Sequence, residues 1–167
     1  MDNLMALLPL ALVALLFLGA WLWSRRAWRA VQRATKTGTA RGGIAPVFDW
    51  PRSGSYAGEV VGESHYQDHL RRLVGDHGDE AAELETVAVL VPDSTNAYDD
   101  KAVRVEIEGL AVGHLPKDAA RIYRKKLKAK GQKNLPASCG ALVMGGYIGR
   151  NGSRAHYGVK LDLGTTE

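Results

Sequence analysis

The sequence predicts a mainly β domain, a small curled sheet or barrel with two short helices, preceded by one N-terminal transmembrane helix. Three observations predict it. Short runs beyond residue 57 alternate apolar with polar residues, the pattern of half-buried strands. Two stretches carry helical spacing between a start and a stop signal. Residues 4–23 run for twenty residues without a charge.

At about 1.5 Å per residue, those twenty residues span about 30 Å, the thickness of a bilayer's hydrocarbon core. Trp21 and Trp23 close the run, and Trp28 lies just beyond, as in an interfacial aromatic belt. Arg25, Arg26, Arg29, Arg33, Lys36 and Arg41 follow with no acid between them. A cleaved signal peptide would carry its positive charges first and end its shorter core in small residues. The expectation is therefore an uncleaved anchor with a basic extension over residues 1–36. By the positive-inside rule the C-terminal domain faces the cytoplasm and the N-terminus lies outside, in a single pass of the plasma (inner) membrane. Arg25, Arg26, Arg29 and Arg33 would meet lipid headgroups.

Charge by region removes one inference. The chain has 22 Lys and Arg against 18 Asp and Glu, a net of +4 over 167 residues. Residues 1–41 hold six of the bases and one of the acids, which leaves 16 and 17 for the rest. The folded part is thus not basic. A single cysteine, Cys139, excludes a disulfide framework and Cys₂ or Cys₄ zinc sites.

Residues 37–56 are rich in Gly, Pro, Ser and Thr and predict a flexible linker. Residues 57–167 suffice for one core. Residues 59–62 predict a first strand, and 66–74 a short helix stopped by Gly75. Residues 84–91 are apolar on both faces, as in a central strand. Val103, Val105 and Ile107 then alternate with Arg104, Glu106 and Glu108, and Gly109 turns the chain into a strand over 110–115. Pro116 and Asp118 suit a helix start; Ala119, Ile122, Tyr123 and Leu127 give it an apolar face, and Gly131 ends it. Strands near 137–148 and 156–163 complete the set. Closure would protect the sheet edges, with helix 117–130 packed across.

Chemistry-bearing residues are few. His65 and His69 are four apart and would share a helix face, but no Glu accompanies them in an HExxH pattern. Cys139 is expected to be small and buried. No Gly-rich phosphate loop, no GxSxG and no assembled catalytic set is present, so neither a cofactor nor a metal is implied. Residues 93–103 form a polar turn between apolar strands, which admits two readings. Asn96 and Asp99 can bond nearby backbone and hold the turn. Alternatively, Tyr98 offers a stacking face and Asp99 an acceptor for a hydroxyl. Residues 117–133 hold eight bases and one acid. Arg121, Arg124, Lys125 and Lys128 read as a solvated helix side, whereas Lys117 at the helix start, with His114 three residues earlier, could hold a phosphate.

These residues carry a resemblance. Val60-Val61-Gly62-Glu63-Ser64-His65-Tyr66, then Asn96-Ala97-Tyr98-Asp99-Asp100-Lys101-Ala102-Val103, then Val112-Gly113-His114-Leu115-Pro116-Lys117 resemble a HIRAN domain over residues 57–130. That module occurs at the N-terminus of helicase-like DNA-repair ATPases and as a stand-alone bacterial unit. The resemblance implies an OB-like or SH3-like β-barrel that captures the 3′ end of single-stranded DNA. Asp99 would accept a hydrogen bond from the 3′-hydroxyl, with Tyr98 and Asn96 beside it. Tyr66, His65 and Ser64 would line the base pocket, and His114 and Lys117 would hold the backbone phosphate. Tyr157 is the candidate for a later aromatic contact. The chain departs from the family at Ser64-His65, where DNA-binding members carry an Arg-Tyr pair, and at Ala97, where a proline is usual. A protein-binding adaptor that keeps the fold is the alternative. A metal-dependent hydrolase using Asp93, Asp99, Asp100 and the histidines is the third.

Overall fold

The computed structural model describes residues 43–164. The anchor expected at residues 4–23 and its basic extension lie outside them. Among the described residues no helix is long and apolar enough to cross a membrane.

Among the described residues seven strands form one sheet: β1 (Phe48–Asp49), β2 (Gly58–Glu59), β3 (Ala82–Pro92), β4 (Val103–Ile107), β5 (Leu110–His114), β6 (Ala137–Gly145) and β7 (Tyr157–Asp162). The helices are α1 (Gln67–Val74), entered through a 3₁₀ turn over Glu63–Tyr66, and α2 (Lys117–Ala129). The sheet order is β2-β7-β6-β3-β4-β5, all antiparallel, and β1 pairs with β6 in parallel. The doubly apolar run at 84–91 is explained by its place. β3 pairs with β4 on one side and β6 on the other.

The sheet curls until its outer strands meet. Val61 and His114 exchange backbone hydrogen bonds of 2.8 and 2.9 Å, joining the segment after β2 to the end of β5. The expected barrel is therefore a half-barrel whose seam is this one bridge. Gly113 makes the seam possible. Its φ is +154°, and a Cβ there would lie 2.4 Å from Val60 Cγ1 and 2.7 Å from the Val61 carbonyl oxygen. A β-bulge between β4 and β5 leaves Val112 as the extra residue and tightens the twist.

Val103, Val105 and Ile107 line the core as their alternation predicts, with Leu90, Val143 and Leu161 from neighbouring strands. Leu70 of α1 and Leu127 of α2 are fully buried against it. The buried stripe of α2 is Ala120, Tyr123 and Leu127. Ile122, expected on that face, is 48% exposed, because one residue is a 100° rotation away from Tyr123. Cys139 is buried as expected, and burial pushes its thiol up to about 12.

Two other expectations change. The strand near 137–148 stops at Gly145, where Gly145 and Gly146 both take positive φ and a Cβ on either would strike residues 156–157. Within the expected linker, residues 47–54 are tied to the domain. Val47 N–H bonds the Pro136 carbonyl, β1 pairs with β6, and Trp50 is buried against Tyr123 at 4.9 Å between rings. Trp50 Nε1 donates to the Leu163 carbonyl at 2.7 Å. The Ser53 and Gly54 amides donate to the Asp162 carboxylate at 2.9 and 2.7 Å. Composition marks this stretch as flexible, but one tryptophan and one buried carboxylate outweigh it.

Candidate nucleic-acid interface

The turn between β3 and β4 is built from consecutive side-chain-to-backbone bonds. Asp93 N–H bonds the Ala102 carbonyl at 2.9 Å and closes the base of the loop. Asp93 Oδ1 accepts from the Thr95 amide and hydroxyl. Asn96 Oδ1 accepts from the amides of Tyr98 and Asp99 at 3.0 and 3.2 Å. Asp99 Oδ1 accepts from the Lys101 amide at 2.9 Å, and its own carbonyl accepts from the Ala102 amide. Short polar side chains therefore set this backbone, as Asx turns do. Asn96 serves the turn through both bonds. Asp99 serves it through one oxygen, which orients the carboxylate. Tyr98 is 97% exposed on the outside of the loop.

A guanidinium that sequence reasoning assigned to a solvated helix side holds this loop. Arg124 of α2 donates to the Ala102 carbonyl at 3.1 Å, to Ser94 Oγ at 2.7 Å and to Asn134 Oδ1 at 3.0 Å. It thus grips both ends of the loop at once. Its position on the polar side of an amphipathic helix gave no signal of that.

A second arginine links the loop to the sheet. Arg104 donates to Glu106 Oε1 at 2.9 Å and reaches Asp93 Oδ2 at 3.4 Å. Glu106 is buried, and its Oε2 has no hydrogen-bond partner among the described residues. The alternation predicted an outward Glu106, but the half-barrel covers it. His114 lies opposite Arg104 in the β4–β5 register. Burial and the Arg104 charge hold its pKa below the ordinary histidine value, with Asp93 opposing, which favours the neutral imidazole. The Thr95 hydroxyl and amide, with Arg104, hold the Asp93 carboxyl below its ordinary value against burial.

Two predicted groups, the 93–102 loop and the pair His114 and Lys117, meet at one end of the half-barrel. β3 ends there, β4 begins there, and the Leu115 amide bonds the Val103 carbonyl, which brings His114 and Lys117 to the base of the 93–102 loop. Lys117 is exposed as the first residue of α2, whose N-terminus has no side-chain cap. Ser64, His65 and Tyr66 lie on the 3₁₀ turn beside β5, fixed by the Val61–His114 bridge and by the left-handed Gly62. Ser64 and His65 are exposed and Tyr66 is half-buried. No hydrogen bond joins this turn to the 93–102 loop among the described residues.

One pairing expected from sequence is corrected. His65 and His69 do not share a helix face, because α1 begins only at Gln67; His69 is buried and its Nε2 bonds the Ile107 carbonyl at 3.2 Å. Tyr157 is buried, its hydroxyl meets His77 Nε2 at 2.8 Å, and its backbone is held by the side chain of Gln67, next to Tyr66. Among the described residues, no three or more His, Cys, Asp or Glu side chains are placed to hold a metal ion.

Fold and surface together define a small β domain with one polar, loop-built end. The chain carries a HIRAN domain: the family model of that name matches residues 53–135. The match begins within the segment that packs through Trp50 and Asp162, and it stops before β6. The sheet needs β6 all the same, since β6 lies between β3 and β7. No curated protein and no solved structure matches the chain.

Proposed function

We propose that this domain binds nucleic acid by capturing the 3′-hydroxyl end of single-stranded DNA, and that residues 4–23 tether it to the plasma membrane with the domain in the cytoplasm. The HIRAN match carries the reading, since the domain is as a class a nucleic-acid-binding module rather than a catalytic one. Local geometry supports the finer claim. A carboxylate oriented by its own turn accepts from a hydroxyl and repels a terminal phosphate, so Asp99 would read the end itself. Tyr98 would stack on a base, which contributes about 1–3 kcal/mol without sequence preference. Lys117 and the open amides of α2 would take a backbone phosphate. Tyr66, with Ser64 and His65, would flank the terminal base.

One observation favours the second reading, a protein-binding adaptor. Asn96 and Asp99 both serve their own turn, so the loop needs no ligand to explain it. Chemical-shift mapping of the full chain with a short 3′-hydroxyl oligonucleotide separates the two. The proposal expects saturable shifts at residues 64–66, 96–99, 114 and 117. Shifts confined to Arg121, Lys125 and Lys128, or none at all, would favour the adaptor.

A further inference from the structure

At the end of the sheet opposite the 93–102 loop lies an open pocket of about 310 Å³, lined by Arg71, Arg72, His77, Arg154, Tyr157, Asp76 and two glycines. We infer that this pocket is a second ligand site, one that takes a phosphate group. Three arginines and one carboxylate line it. Arg154 is preorganised: it donates to the Gly146 carbonyl and, at 3.0 Å, to the Gly78 carbonyl, which occupies two of its N–H groups and aims the rest. Among the described residues, Arg72 makes no hydrogen bond or ion pair, and Arg71 has only Asp68, at 4.0 Å on the surface. Asp76 is directed at its own turn, where Oδ1 accepts the Gly78 amide.

The floor is rigid. His77 Nδ1–H donates to the Glu80 carbonyl, which leaves Nε2 to accept the Tyr157 hydroxyl. Gly75 and Gly78 take positive φ at the rim, and a Cβ on either would meet nothing within 4 Å. Backbone there is open to a close ligand approach. Guanidinium forks pair with phosphate and carboxylate alike, but a phosphate group, with more oxygens and a higher charge, can engage several forks at once. The same group could come from a free phosphoryl ligand or from the diester backbone of a strand, and the two are distinguished by probe.

The experiment titrates the full chain, observed by amide NMR, with inorganic pyrophosphate and separately with a 3′-phosphorylated oligonucleotide, which the Asp99 end would reject. The inference expects saturable shifts at Gly75, Gly78 and Arg154 with at least one probe, weakened at least tenfold in Arg71→Gln/Arg72→Gln. Response to pyrophosphate alone assigns a free phosphoryl ligand; response to the oligonucleotide, with or without pyrophosphate, assigns a strand. Neither arginine holds the fold through a described contact, so the variant stays folded, and unchanged far-UV and amide spectra verify it. Absence of saturable shifts with both probes, or affinity unchanged in the variant, overturns the site. Neither outcome depends on whether the other end binds a 3′-hydroxyl.

Discussion

Asp99 carries two jobs, and they separate by substitution. Asp99→Ala removes both the acceptor for the Lys101 amide and the charge, so it reports on the loop as much as on any ligand. Asp99→Asn keeps an acceptor oxygen at the turn and removes the charge. The proposal expects that variant to lose about tenfold of its preference for 3′-hydroxyl over 3′-phosphate ends, with stability within about 0.5 kcal/mol of wild type. His114 gives a pH signature at the same scale. Its depressed pKa means that the unfolded chain binds the proton more readily, so its contribution is complete above 6.5 and declines as pH falls through the folded value. In His114→Gln, chemical denaturation between pH 7 and 5 should show a shallower loss of stability than wild type. Roles at this scale were partly legible. The sequence marked Asn96, Tyr98 and Asp99 by type, yet could not tell turn-making from ligand-facing oxygen atoms, because that depends on backbone angles.

Elements were the most legible scale. Alternation at 103–108 and apolarity on both faces at 84–91 follow directly from strand position, and Pro116 with Gly131 bounded the second helix well. Contacts between elements were not legible. Arg124 sits on a polar helix face whatever it touches, so its grip on Ser94 and Ala102 left no mark in the pattern. Arg124→Gln should raise amide exchange across residues 94–101 at least tenfold while costing about 1 kcal/mol overall, measured by exchange and by urea melts. The seam offers a sharper case. Gly113→Ala places a Cβ against Val60 and Val61 at a φ that side chains avoid. It should destabilise the domain by about 2–3 kcal/mol and selectively expose the Val61 and His114 amides. Loss confined to other strands would contradict the seam's role.

Across the whole molecule, the domain begins earlier than its composition suggests. Burial alone would raise the Asp162 carboxyl, but the Ser53 hydroxyl and the amides of Ser53, Gly54 and Gly164 outweigh it and hold the pKa low. A carboxylate depressed in this way stabilises above its ordinary value of 3.8, and that contribution is lost as pH falls below it. The segment around Trp50 should therefore detach in acid before the rest of the domain unfolds, followed by tryptophan fluorescence against strand amide exchange. Trp50→Ala should cost about 3–5 kcal/mol at neutral pH. The chain's formal charge of +4 also resolves at this scale: six bases against one acid precede residue 42, and the domain itself, with 16 bases and 17 acids, is slightly acidic. The proposed nucleic-acid binding would then rest on a few placed groups, Asp99, Tyr98, His114 and Lys117, rather than on a basic field. That is the account's central claim, and the affinity ratio of the full chain for matched 3′-hydroxyl and 3′-phosphate oligonucleotides tests it most directly. A ratio of about ten or more, collapsing toward one in Asp99→Asn, is the predicted result; equal affinity for the two ends in the wild-type chain would contradict it.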